Sequence, residues 1–429
     1  MGACLNHDNV KLSGEPCGFA ARRQEACLPT LRLSRPLAAM LLAAAIALPG
    51  SASATVGDFI ATLAPAQSEE FKKWHAAKTH YDRRLDAYWY EIERKRKDRR
   101  PKRGSGQLYG PEDYVWTFPP EYAGPQLSED LKRRWTSFLA AKEKREPQAA
   151  EPPMPGINDF LVAAKQYYSF EPTRVSEREF KRRYARETLS LGLTKDQVVR
   201  VYALETGGMG TADMQAGINP ITRKGRPISS ALGYAQLLHA NTVGELVKRG
   251  DLFISRLKAM AAAAPDPARA GELRNKMTSL QSMLRSARSV PNDWYKHVTF
   301  AQTPRGYGMH AINLDGDIGP WLQSFKLESL KDFAAKKGVT NLSGEELELM
   351  NLSGPATGLE MMQPVGLTAP TPNFFARRAY YVNKMVTGKT SAELLADFTR
   401  RMDNSLQKAG AIEFAEAFDE VSQAKLPWR

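Results

Sequence analysis

VVRVYALETGGMGT, Val198–Thr211, delivers a single carboxylate, Glu205, from an apolar run straight into a glycine cluster. Thr194 and Gln197 form a capping-box pair, which satisfies the orphan N–H groups of a helix start. Val198, Val199, Val201, Tyr202 and Leu204 give a mostly buried helix, and Gly207, Gly208 and Gly210 end it. Glu205 therefore sits in the last helical turn. The C-terminal end of a helix carries partial negative charge, so an acid there is disfavoured unless something compensates. Partial burial and that dipole together raise its pKa. A raised pKa leaves the group protonated near neutral pH, as a general acid requires. An exposed glutamate, or one paired with a nearby Arg or Lys, also fits a helix end.

A second segment narrows the choice. SSALGYAQLLHANTV, Ser229–Val243, places small residues, a tyrosine and a glutamine downstream of the acid. A lone acid at the mouth of a glycine-rich turn, followed by such a block, suits chemistry on a sugar chain. Together the two segments resemble the lytic transglycosylase and lysozyme-like superfamily. Glu205-Thr206 matches the family's catalytic Glu-Ser step, with threonine for serine. Ala231–Leu238, ALGYAQLL, matches its glycine and glutamine block, with Ala235 in the place of a methionine, and Thr242 falls where the family often has threonine. Glu346–Pro355, ELELMNLSGP, resembles the Ala-Tyr-Asn-x-Gly block, with Met350 for the tyrosine and Asn351 at the asparagine. Tyr381-Val382 resembles the late Tyr-Val helix. The likeness covers Ser176–Arg401 and leaves the N-terminal third unexplained.

The resemblance implies a lysozyme-like catalytic domain over 157–429, and the pattern along the chain gives a mainly α fold with a small hairpin and a helical, basic N-terminal region. It implies cleavage between N-acetylmuramic acid and N-acetylglucosamine in peptidoglycan, leaving a 1,6-anhydro ring. Glu205 would be the single acid and base. Gln236 and Asn351 would hydrogen-bond sugar or acetamido groups. Tyr234 and Tyr381 would pack the sugar or orient Glu205, or else belong to the core. Thr206 would flank the acid, and Gly207, Gly208 and Gly233 would let backbone approach the glycan. Two rivals stay open. A hydrolytic muramidase needs a second carboxylate, for which Asp213 is nearest in sequence. A non-catalytic peptidoglycan-binding or envelope-assembly protein would keep the fold without the chemistry.

The start of the chain points to export. Leu37–Leu48, LAAMLLAAAIAL, follows Arg32 and Arg35 and precedes SASA, Ser51–Ala54. A charged region, an apolar run too short to span a bilayer and a small-residue site read as a signal peptide cut after Ala54. It carries an atypical extension, and a start near Leu31 is the alternative. Cys4, Cys17 and Cys27 all precede the cut, so the mature chain has no disulfide and no thiolate site. Removal of 1–54 takes five Lys/Arg and three Asp/Glu and lowers the formal charge from +13 to +11. A basic exported protein is drawn to anionic polymers and surfaces, and cell-wall glycan with its peptide carboxylates, or an anionic lipid surface, fits. Nucleic acid fits on charge but not on compartment.

The rest of the chain reads as helices and linkers. Ser68–Lys97 and Ser128–Lys144 are helical, and the basic run Arg94–Arg103, RKRKDRRPKR, reads as a solvated helix end or linker. Glu146–Pro155 is a proline-rich linker that closes an N-terminal region over 55–156, which would dock envelope partners or position substrate. Ile157–Tyr168, Ser176–Leu191, Pro265–Val290, Ser343–Met350, Phe374–Val386 and Ser391–Gln407 are further helices. NPITRKGRP, Asn219–Pro227, is a turn or hairpin tip. Asn313–Asp317 lacks the closing glutamate of a calcium loop and reads as a polar turn. His239, His297 and His310 lack metal-ligand spacing, so no metal or cofactor is expected. Ser229 and Ser230 lack the context of a serine nucleophile.

Overall fold

The computed structural model describes residues 51–105, 107–142 and 153–424. The apolar run Leu37–Leu48, the three cysteines and most of the Glu146–Pro155 linker lie outside the described residues. Ser51–Ala54 open the first helix, α1 (Ser51–Ile60). Among the described residues the chain is mainly α, with seventeen α-helices and only isolated antiparallel bridges instead of strands. None of these helices is long and apolar enough to cross a membrane.

Two compact units divide between Arg84 and Leu85, inside helix α2 (Pro65–Ser105). The smaller unit combines α1, the first part of α2 and α3 (Glu129–Lys142). Its core is aromatic: the ring centroids of Phe59 lie 4.8 Å from both Phe71 and Trp135. Arg134 ties α3 down by donating to Gln67 Oε1 at 2.9 Å and to the Thr62 carbonyl at 3.0 Å.

The larger unit takes Leu85–Pro120 together with the whole C-terminal part, and so reaches across the boundary expected at 156/157. It contains α4 (Ile157–Tyr168), α5 (Glu177–Ser190), α6 (Lys195–Thr206), α7 (His239–Ala263) and α8 (Pro267–Arg288). Next come α9 (Trp294–Ala301), α10 (Pro304–His310), α11 (Ile318–Ala335), α12 (Gly344–Ser353), α13 (Pro355–Met361) and α14 (Pro364–Thr368). The series ends with α15 (Arg377–Val382), α16 (Ser391–Leu406) and α17 (Ala409–Gln423). One apolar core gathers α4 and α7–α10 around Phe160, Phe253, Leu280 and Met309; the leucine and methionine stripe of α8 faces it. A second core gathers α5, α6, α12 and α17 around Tyr184, Tyr202, Tyr234, Met350 and Phe414. Helix α11 joins the two, with Leu322 and Phe325 in the first and Leu327 and Leu330 in the second.

Several local readings are revised. The Asn219–Pro227 tip is a closed turn with one bridge, Ile218 to Gly225, not a hairpin of strands. The Asn219 carboxamide oxygen accepts from the N–H groups of Ile221 and Thr222, both at 2.9 Å, so the backbone curls back on its own side chain. The helix expected over Phe374–Val386 shrinks to α15, because Asn383 leaves helical geometry and bonds the Met385 N–H at 3.0 Å. Asn313–Asp317 is polar but internal: Lys276 Nζ lies 2.9 Å from Asp315 Oδ2 and 2.5 Å from Asp317 Oδ2.

The basic run Arg94–Arg103 is not simply a solvated end. It continues α2 through Pro101 to Ser105. Arg99 is 1% exposed, with Nε 2.6 Å from Glu360 Oε1, and it donates to the carbonyls of Asp113 at 2.7 Å and Asn373 at 2.6 Å. Arg103 pairs with the same carboxylate. Removing one partner of a buried pair leaves the other charge poorly compensated, which costs more than the pair contributes. Arg99→Met is expected to lower stability by about 3 kcal/mol, read as a lower urea midpoint, while Lys97→Met, at an exposed position of the same run, stays within about 0.5 kcal/mol of wild type.

Candidate active site

Helix α6 begins at the expected capping box: Thr194 Oγ1 accepts from the Gln197 N–H at 3.2 Å, and Gln197 Oε1 accepts from the Thr194 N–H at 3.0 Å. Its buried face, Val198, Val199, Val201 and Tyr202, fixes its rotation. Gly207 then turns left-handed at φ +64° and stops the helix one residue after Thr206. Gly208 follows at φ +71°, where a Cβ would lie 2.1 Å from the Ser405 carbonyl oxygen. Only glycine fits there. The loop is pinned by the Ala411 N–H, which donates to Gly208 at 3.0 Å, and by the Tyr202 hydroxyl, which donates to Gly210 at 2.8 Å.

Facing this end of α6 is α12, started by its own capping box between Ser343 and Glu346. Leu347 and Met350 are in the core, so Glu348 and Asn351, three residues apart, share the face toward α6. Asn351 Nδ2 donates to Glu205 Oε1 at 2.9 Å and to Glu348 Oε2 at 3.1 Å. The two carboxyls are also within hydrogen-bonding reach of each other. Glu348 is 3% exposed, whereas Glu205 is partly open to solvent.

The electrostatics follow from this burial. Desolvation, then the negative charge of Glu205, pushes Glu348 well above the ordinary carboxylate range. Desolvation also raises Glu205, against the pull of Lys326 on α11 and the hydrogen bonds of Glu348 and Asn351. Burial lowers Lys326, against the attraction of both glutamates. Two carboxyls this close share one proton and titrate as a pair.

Glu205 borders a cleft of about 400 Å³. Leu204, Thr206, Gly207, Met214, Glu348, Leu352, Asn383, Met385, Arg401, Asn404 and Ser405 also line it. Of the residues singled out in the sequence, Glu205, Thr206 and Gly207 line this cleft and Asn351 bonds Glu205 directly. Thr206 donates its hydroxyl to the Tyr202 carbonyl at 2.7 Å.

The remaining sequence candidates are elsewhere. Tyr234 is 1% exposed in the second core and donates to Glu177 Oε2 at 2.6 Å. Glu177 also accepts from the Ala212 N–H, so Tyr234 braces the loop after Glu205. Gly233, at φ +77°, makes room for Gln323, whose Nε2 would lie 2.2 Å from a Cβ. Gln236 is buried and donates to the Gly233 carbonyl at 2.8 Å, closing its own turn. Tyr381 is half exposed and receives a bond from Trp89 Nε1 at 3.4 Å. Asp213 is ion-paired, with Oδ1 3.0 Å from Arg223 Nη1 and Oδ2 3.7 Å from Arg174 Nη1. Although its own burial opposes this, bonds from Thr211 and Arg223 hold it below the usual range.

Sequence reasoning missed Glu348 and Arg401. The signal for Glu348 was its spacing of three from Asn351, on the face of α12 that the apolar residues leave free. A carboxyl whose pKa is raised by folding stabilises the native state below its ordinary value of 4.5 and loses that contribution as pH rises through the folded value. Wild-type stability is therefore expected to fall as pH rises above 4.5 by more than that of Glu348→Gln, in urea titrations across a pH series. Equal slopes would contradict the shared proton. Comparisons with protein-family models, with curated proteins and with solved structures return no match to this chain.

Proposed function

We propose that the Glu205 cleft cleaves peptidoglycan glycan strands as a lytic transglycosylase, in an exported, cell-wall-directed protein whose C-terminal part has a lysozyme-like arrangement. The observation that carries this reading is the pair itself: a cleft-facing Glu205 within hydrogen-bonding reach of a buried Glu348. Two-carboxylate glycosidases hold their acid and their base or nucleophile roughly 5–5.5 Å apart when retaining and about 6.5–9.5 Å apart when inverting. A hydrogen-bonded pair has neither separation. It works instead as one acid/base unit with a proton available near neutral pH.

In this mechanism Glu205 gives its proton to the glycosidic oxygen of the N-acetylmuramic acid to N-acetylglucosamine bond. That bond breaks with its electron pair leaving on the N-acetylglucosamine oxygen. The ionised Glu205 then takes the proton of the muramyl 6-hydroxyl, whose oxygen bonds to the anomeric carbon. The 1,6-anhydro ring closes, the carboxyl is again protonated, and no water is consumed. Glu348, the more strongly raised carboxyl, is the reservoir of the pair's single proton and passes it to Glu205 as the leaving oxygen draws one away. Asn351 holds Glu205 in place with its amide N–H. Hydrolysis through Asp213 finds less support, because Asp213 is neutralised by arginines and is not part of the cleft wall.

The test is mass spectrometry of purified peptidoglycan digested with the chain from Thr55 onward, beside Glu205→Gln. Anhydro-muropeptides from the wild type, reduced at least about 1,000-fold in the variant, are expected. Reducing-end products would turn the reading to a hydrolase. Strand binding without products from either protein would favour a non-catalytic glycan-binding role.

A further inference from the structure

The cleft that Glu205 borders also carries a charge that the bond-breaking step does not use. Arg401 on α16 lines the cleft, with its side chain about one-third exposed. Its Nε donates to Asp397 Oδ2 at 2.9 Å, and its two terminal nitrogens make no hydrogen bond to any other described residue. Asp397 is a weak neutraliser because it is shared: Lys389 Nζ lies 2.6 Å from the same oxygen, and Arg400 pairs with Oδ1. One carboxylate therefore serves three cations, and the cluster keeps a net positive charge beside the cleft. Asn404, exposed on the next turn, adds an uncharged polar side chain to the same cleft.

A guanidinium held along one edge has a fixed plane and presents its remaining N–H fork in one direction, the geometry that suits a carboxylate. A neutral sugar would give its terminal N–H groups no ionic partner beyond the shared Asp397 at Nε.

We propose that Arg401 is a specificity-determining residue that binds a carboxylate carried by the glycan, as a substituent beside the sugar held at Glu205. This inference rests on the glycan-cleaving reading of that cleft and adds the class of group the cleft selects. Arg401 binds and orients the strand and takes no part in proton transfer.

The test separates binding from cleavage. Binding is measured in the Glu205→Gln background, with soluble peptidoglycan strands carrying free peptide carboxylates and with the same strands after chemical amidation of those carboxylates. Arg401→Gln is expected to weaken binding of the carboxylate strands about 10-fold and to make it less dependent on salt, with Arg401→Lys retaining part of the affinity. Amidated strands should bind Arg401→Gln and its parent equally. In the Glu205 wild type, Arg401→Gln should raise KM for untreated strands with little change in kcat. Unchanged binding in Arg401→Gln, or an equal loss on amidated strands, overturns the proposal. Thermal melts of Arg401→Gln check the fold, and Asp397 keeps Lys389 and Arg400 as partners in that variant. Arg401-dependent carboxylate binding by a wild-type chain that forms no cleavage products would keep this inference and sink the catalytic one.

Discussion

Two carboxyl groups from different helices meet on one side-chain amide. Glu205 comes from the end of α6 and Glu348 from the middle of α12, and Asn351 donates to both. Bringing like charges together in a partly dry site is costly, and the cost is reduced by sharing a proton, by the Asn351 amide and by the nearby Lys326. The surrounding structure is arranged to enforce that meeting. Tyr202 and Tyr234 lock α6 from behind, Met350 and Leu347 anchor α12, and α11 runs between the two cores to bring Lys326 near the pair. The left-handed glycines after Glu205 let the chain leave α6 tightly enough to pack against the end of α16. Function and packing meet here. The apolar cores fix the helix rotations, and the rotations set which carboxyls face the cleft.

Part of this was legible in the residues. The capping box at Thr194, the apolar run and the glycine stop place Glu205 at a helix end, and α6 has that form. The pairing of Glu205 with Asn351, 146 positions apart, joins two residues singled out separately along the chain. Tyr234, Gly233 and Gln236 are a different case. A Gly-Tyr-x-Gln block reads equally well as a binding surface or as a turn wedged into a core. Its contacts with Gln323, Glu177 and Phe414 come from distant parts of the chain that no local pattern reveals. Glu348 was hidden for the opposite reason. On a helix with two other glutamates and three leucines it looks like a solvated charge, and its role depends on the neighbour that α6 supplies.

Charge was the least legible property. RKRKDRRPKR has the composition of a solvated basic stretch, yet it supplies an internal cation to Glu360. Asp315 and Asp317 have the pattern of a surface turn, yet they meet Lys276 inside the unit. A net charge describes the long-range field around a protein. It does not say which cations are already used. Arg401 matters for the converse reason: its partner Asp397 is over-subscribed, so part of its hydrogen-bonding capacity is left facing the cleft.

The central claim is that Glu205 and Glu348 hold one proton between them near neutral pH. Infrared difference spectroscopy of the chain from Thr55 onward, labelled with ¹³C at the glutamate carboxyl carbons, reads this directly. The account predicts a protonated glutamate carboxyl band near neutral pH that is lost in Glu348→Gln, which removes the carboxyl that holds the proton, and that shifts in Glu205→Gln, where burial still keeps Glu348 protonated but the charge beside it is gone. Spectra of the wild type and both variants that show the same protonated glutamate signal near neutral pH would contradict it.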